Sequence, residues 1–271
     1  MSELSIARSE WRETSNQKLQ TRNMTFWEYL ILFLVVLLGG GIAFYFKESN
    51  KKALQLVLSF SGAYLLGISV LHLMPGVFAD GDQYVGLWIL LGFFIQIFLE
   101  QLSGGVEHGH IHPEHQANSG FAVQVMIGLC VHAFLEGMPL ENYEEFHNIT
   151  LGEGHDHNHL LYGVLMHKAP AAFVLVLLLR VSGFKKMMVL TCLLLFAFMS
   201  PLGAGMTMWL ENMNLLDVKV MKVIVAIVIG SFLHISTTIL FEIENPGEHK
   251  ISFKKLAVIG FGILAALATI L

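Results

Sequence analysis

Two histidines and a glutamate, set inside stretches of chain too apolar to tolerate them idly, are the residues most able to do chemistry here. His132 and Glu136 stand four positions apart in the run Val131-His132-Ala133-Phe134-Leu135-Glu136-Gly137, and side chains at i and i+4 share one face of a helix. That face offers an imidazole nitrogen and a carboxylate oxygen. The following apolar stretch contains His167-Lys168-Ala169-Pro170-Ala171, so two consecutive helices present His132, Glu136 and His167 to one another. Ionisable groups within hydrocarbon-length segments are costly and usually line an ion or substrate path. Two imidazoles and one carboxylate form a donor set for a borderline divalent cation: Zn²⁺ first, with Fe²⁺, Mn²⁺ and Cd²⁺ compatible. The plainer alternative is a satisfied polar packing cluster.

Several neighbours bear on that set. Pro170 lacks the amide that would bond the carbonyl of Met166, so the helix is expected to kink beside His167 and leave a backbone oxygen available. Lys168 either pairs with Glu136 when no cation is bound or snorkels to a water-filled vestibule. His72 and His234 either line the route or make packing contacts. Glu100 and Glu242 lie near the ends of their apolar stretches, where reaching toward the interface is the simplest account. Cys130 and Cys192 both fall in apolar runs and form neither a CxxC knuckle nor an obvious disulfide.

These residues must be positioned by helices in lipid. The chain has 271 residues, 55% hydrophobic and only 14% charged, with mean hydropathy +0.63, which is too apolar for a soluble domain of this length. After a polar tail over 1–25, runs at about 26–46, 53–78, 85–102, 119–140, 160–181, 184–210, 219–241 and 251–271 each approach the about 20 residues that cross a hydrocarbon core about 30 Å thick. The expected architecture is therefore all-α, a single eight-span transmembrane domain over 26–271. The net charge of −5 comes with no continuous basic patch, so nucleic acid is not an expected partner; membrane lipid is.

Lysine and arginine set the expected orientation. Lys47, Lys51 and Lys52, then Arg180, Lys185 and Lys186, then Lys250, Lys254 and Lys255 fall in connections that share one side, which should be cytoplasmic. Arg8, Arg12, Lys18 and Arg22 in the tail argue the other way. On balance both termini are expected outside, in the plasma (inner) membrane.

Two connections are rich in histidine and carry no lysine or arginine. The segment 107–115 supplies His108, His110, His112 and His115 on the inner side; the segment 141–159 supplies His147, His155, Asp156, His157 and His159 on the outer side. Such tracts bind borderline cations without fixed geometry and would collect or sense metal; the alternative is a pair of solvated polar loops.

These features together resemble the ZIP (Zrt/Irt-like) family of divalent-metal transporters. The matching residues are His132-x-x-x-Glu136-Gly137, His167-Lys168-x-Pro170, the histidine-rich segment between spans three and four, and Gly67-Ile68-Ser69-Val70-Leu71-His72-Leu73-Met74-Pro75, which is similar to the family's FLHLLP pattern. Ser200-Pro201-Leu202-Gly203 and Gly230-Ser231-Phe232-Leu233-His234 also resemble family signatures. The resemblance covers about residues 26–271. It implies uptake of zinc or a neighbouring ion toward the cytoplasm, ligands from spans four and five, an inverted-repeat bundle, and a homodimer. It also implies an elevator-like step in which spans one, four, five and six move against the other four. No prosthetic group is implied; the cation is cargo.

The chain departs from the two-metal members of that family, which carry Asn or Asp after the first histidine and Glu four residues after the second motif begins. Ala133 and Ala171 stand at those positions and Lys168 adds a positive charge, so one ion is expected in the membrane site. Two other functions use similar donors: an integral-membrane zinc hydrolase and a non-transporting metal sensor. A hydrolase would need a general base, and with Glu136 used as a ligand no separate one is evident. An enzyme is therefore not expected.

Overall fold

The computed structural model describes residues 24–45, 51–103, 119–151, 159–241 and 252–269. Among these residues the chain is entirely helical, without strands. In chain order the helices are α1 Phe26–Ala43, α2 Lys51–Ile68, α3 Val85–Ser103, α4 Ser119–Gly137, α5 Tyr143–Leu151, α6 His159–Val181, α7 Lys186–Asn212, α8 Val218–Phe241 and α9 Phe253–Ala268. A π turn at Ser69–Leu73 carries α2 on into Met74–Phe78, and a 3₁₀ turn at Met138–Leu140 extends α4.

Seven of these segments are long and apolar enough to cross a membrane: Phe26–Ala43, Ala53–Phe78, Val85–Ser103, Gly120–Leu140, His159–Val181, Lys186–Asn212 and Val218–Phe241. The eighth expected span is α9, with 16 described residues, or about 24 Å at about 1.5 Å per residue. Phe94, Phe98, Leu38 and Leu264 are among many large apolar side chains left facing outward. A continuous apolar exterior of this kind requires lipid as its solvent. Trp27, Tyr84 and Trp209 are exposed near one end of the bundle, and Tyr45 near the other, as amphipathic rings are at the two interfaces.

Local chemistry sets several helix ends. Thr25 caps α1 in a capping box with Glu28: the Glu28 amide donates to Thr25 Oγ1 at 3.4 Å and the Thr25 amide to Glu28 Oε2 at 2.6 Å. Ser252 caps α9 through the Lys255 amide at 3.2 Å. The α6 helix runs through Pro170 without interruption. Directions alternate along the chain. Tyr29 near the start of α1 donates to Glu141 just past α4 at 2.6 Å, and Arg180 near the end of α6 donates to the carbonyl of Ala43 at the end of α1, also at 2.6 Å.

The helices pack in two groups. In one, α1 lies on α6 and α7, and α4 lies on α7; in the other, α8 lies on α3 and α2, and α9 on α2. Contacts of α3 with α4 and of α2 with α6 join the groups. Gly137 of α4 faces the backbone of Ser200, while Gly203 of α7 faces that of Phe134; a side chain at either position would collide with main chain. Small residues allow such close approach between membrane helices, and this contact holds α4 and α7 together beside Glu136.

The segment read as an outer loop is more ordered than its composition implied. Residues Tyr143–Leu151 form helix α5, Tyr143 and Phe146 are buried, and His159 is the first residue of α6. The aromatic and aliphatic members of this stretch pack against the end of span two, where Gly76 lies beside Phe146 and Thr150, so burial overrides the polar average. The tail over 1–23, the inner histidines His108, His110, His112 and His115, and His155, Asp156, His157 and Glu242 lie outside the described residues.

Candidate metal site

The α4 helix places His132 and Glu136 on one face, with His132 Nε2 3.4 Å from Glu136 Oε2. The α6 helix brings His167 alongside, its ring edge-on to that of His132 with centroids 5.9 Å apart and an interplanar angle of 86°. The three sequence-selected donors therefore converge in the bundle interior, each at most 3% exposed. Among the described residues, no three His, Cys, Asp or Glu side chains are placed so as to hold a metal ion together. The other oxygen of Glu136 explains part of that: Lys168 Nζ lies 2.6 Å from Oε1, and both side chains are 1% exposed. The ammonium also sits over the Phe196 ring, 4.7 Å from its centroid, a contact favourable for a cation with little water around it.

Hydrogen bonds from three further helices fix this centre. Ser200 of α7 donates to the carbonyl of Ala133 at 2.6 Å and lies 3.5 Å from Glu136 Oε1. Ser231 of α8 is 3.2 Å from His132 Nδ1 and donates to Gln96 Oε1 of α3 at 2.8 Å. With the Ser231 proton given to Gln96, its oxygen accepts from Nδ1–H, which leaves the lone pair of His132 on Nε2, the nitrogen facing Glu136. That is the tautomer a metal ligand needs. Ser200 and Ser231 stand in the segments that resemble family signatures but carry no site role in the sequence reading, and Gln96 and Phe196 do not figure in it. A signal for two of them exists: Gln96 precedes Glu100 by four residues and Ser231 precedes His234 by three, so each pair shares a helix face.

His234 Nε2 meets a carboxylate oxygen of Glu100 between α8 and α3. Glu100 therefore turns inward toward a partner and does not reach for the interface as expected, because an imidazole on the neighbouring helix satisfies it at lower cost than water at the membrane edge. Phe93 packs edge-on against His234 at 5.0 Å. His72 lies in the π turn of span two, against Ala266 of α9 and Thr269, which caps that helix. The His159 ring lies 4.2 Å from that of His72, and His147 is within electrostatic reach of His72. Cys130 and Cys192 are free thiols.

Polar groups at the ends of the spans are similarly paired. Lys222, at the start of α8, binds Asp80 and Asp82 at 2.7 and 2.9 Å, and its hydrogen bond holds the Asp82 carboxyl below the ordinary range. Burial pushes the Glu141 carboxyl up, countered by the Tyr29 hydroxyl. Burial also lowers the His147 imidazole.

Comparison with known proteins gives this geometry its context. The family model described as ZIP zinc transporter matches residues 107–268, more than half of the chain. The human zinc transporter ZIP1 is 27% identical over 262 residues, covering 82% of this chain and 80% of that protein. Zinc transporter ZIP9-B of Xenopus laevis is 27% identical over 173 residues, 62% of this chain and 55% of that protein. Zinc transporter ZIP1 of Danio rerio is 23% identical over 268 residues, covering 81% and 86%. An apolar helical bundle with a buried histidine-carboxylate centre, matched over more than half its length by that family model, belongs to the ZIP zinc transporter family, a family of membrane transporters and not of enzymes.

Proposed function

We propose that the protein carries divalent metal ions, zinc foremost, across the plasma (inner) membrane into the cytoplasm, with His132, Glu136 and His167 as the ligands of one transported ion. The observation that supports this most is the convergence of those three buried side chains from α4 and α6 around a single carboxylate. Glu136 supplies one negative charge and the imidazoles none. In the ion-free arrangement Lys168 balances it; an arriving cation replaces the ammonium at Oε1 and takes Nε2 of His132 and a nitrogen of His167, with water or backbone oxygen completing the shell. Zn²⁺ beside an ammonium is unfavourable in a weakly screened interior, so exchange, and not co-occupancy at Oε1, is the expected chemistry.

Movement follows an elevator-like step. The helices α1, α4, α6 and α7 pack on one another and hold all three ligands, while α2, α3, α8 and α9 form the other group. Sliding the first group past the second carries the ion with its ligands. The Ser231–His132 hydrogen bond crosses between the groups and must break on the way. In this reading the chain is one transmembrane domain of eight spans over 26–271 behind a tail at 1–25, arranged as an inverted repeat. It works as a homodimer with both termini outside. His234 and His72 line the route, and the histidine-rich segments at 107–115 and 141–159 gather metal. Iron, manganese and cadmium are alternative cargo.

Metal flux in sealed proteoliposomes, measured beside hydrolysis of ester and peptide substrates, tests the reading. Zinc should accumulate inside vesicles with no hydrolysis. Tight zinc binding without flux would instead make the protein a sensor, and zinc-dependent hydrolysis without flux would make it an enzyme.

A further inference from the structure

A second group of imidazoles gathers at the end of the bundle that carries Thr25. His72 belongs to the π turn Ser69–Leu73, His159 opens α6, and His147 lies on α5. The rings of His72 and His159 are 4.2 Å apart and tilted by 32°, and both residues are more than nine-tenths buried. His147 lies within Coulombic reach of His72. It packs on Tyr143 at 5.8 Å, whose hydroxyl in turn donates to the His72 carbonyl at 3.4 Å. The Nδ1 atom of His147 is buried without a hydrogen-bond partner. A π turn is an unusual element that recurs at functional sites, and here it sets His72 against His159.

The tautomer of His72 is fixed by its neighbours. Thr269 donates its hydroxyl proton to the carbonyl of Ala266 at 2.6 Å, so its oxygen, 3.0 Å from His72 Nε2, accepts from that nitrogen. The lone pair of His72 is then on Nδ1. Orientation of one ring nitrogen by an oxygen acceptor, leaving the other basic, is the arrangement found behind metal-ligating histidines.

We propose that His72 and His159, with His147 as a third donor, form a separate relay site for a borderline divalent cation, on the route toward His167. This rests on the reading that the protein transports metal. His159 precedes His167 by eight residues on α6, or about 12 Å along the helix axis, so an ion leaving the first site has a short path to the second. The site has neutral donors and no carboxylate, and its three imidazoles are not drawn together as a three-ligand set in this arrangement. It therefore holds a cation more weakly than the site with Glu136. Weak binding suits a relay, since an intermediate station must release what it binds.

Cadmium binding to the purified full chain, with His108, His110, His112, His115, His155 and His157 changed to Ser to remove background, tests this. In that chain Glu136→Gln should leave one weaker equivalent of cadmium, and adding His72→Gln with His159→Gln should abolish it. With Glu136 intact, the His72→Gln, His159→Gln chain should keep its tighter equivalent, which shows that the bundle is folded; if that too is lost, His159→Gln alone, at the helix start, replaces the pair. In proteoliposomes the same pair should raise the zinc concentration for half-maximal uptake several-fold. A cadmium stoichiometry unchanged by the pair in the Glu136→Gln chain overturns the site and makes the rings packing residues only. Cadmium binding that depends on the pair, in a protein with no flux, keeps the site and overturns the transport reading instead.

Discussion

Lys168 Nζ lies 2.6 Å from Glu136 Oε1 with both side chains almost wholly buried, so the carboxylate at the centre of the bundle is balanced by a cation built into the chain. A buried charge left alone is expensive, and removing one partner of such a pair typically costs about 3–5 kcal/mol.

That relationship makes the ion-free protein dependent on Lys168. Lys168→Met should lower its melting temperature, and saturating zinc should restore more stability to the variant than it adds to the native chain, because the metal then supplies the missing positive charge. Thermal unfolding in detergent with and without zinc measures both. Equal stabilisation of the two chains by zinc would detach Lys168 from the site.

Replacing His132, Glu136 or His167 by Ala should abolish most zinc flux while the protein remains inserted. Each change removes a donor from a three-donor set. Near-normal uptake in all three variants, at matched amounts in the vesicles, would refute the ligand assignment.

The Glu136 centre should hold one ion. Ala171 stands where a second carboxylate would sit, and the Lys168 ammonium occupies the space facing Glu136. Metal analysis of protein with His108, His110, His112, His115, His155 and His157 changed to Ser should find one tightly bound ion that depends on Glu136; two tight ions that both vanish on mutating Glu136 would show a binuclear centre. Lys168→Ala should keep the first ion, since a protonated lysine has no lone pair to donate.

Asp82 carries a pH dependence outside the membrane. Its hydrogen bond with Lys222 depresses its folded pKa, so the unfolded chain binds the proton more readily. The bridge therefore contributes fully above about pH 4 and is lost as pH falls through the depressed folded value. Asp82→Asn should flatten the acid side of the stability profile in that window and change nothing near neutrality that varies with pH. The carboxylate is partly exposed, so the effect should be small and reduced further by salt.

Hydropathy and local spacing made much of this protein legible. Long apolar runs specify membrane helices because lipid leaves backbone groups no other partners, and the i, i+4 spacing of His132 and Glu136 puts them on one face wherever that helix packs. His167 and Lys168 could be placed on the adjacent span for the same reason. The rotation of α6, which brings both of these adjacent residues to the centre although successive helical side chains diverge by about 100°, is set by its packing on other helices, including the close approach of Gly39 in α1 to the backbone of Ala169. Only the tertiary structure decided it. Glu100 shows the same limit: its position near a helix end suggests the interface, but its partner His234 belongs to a helix far along the chain. His159 lies in a tract that reads as solvated loop by composition, yet it stacks on His72 because α5 and the start of α6 bury their apolar residues against span two. Periodicity fixes which residues share a helix face; the packing of helices distant in sequence decides what that face meets.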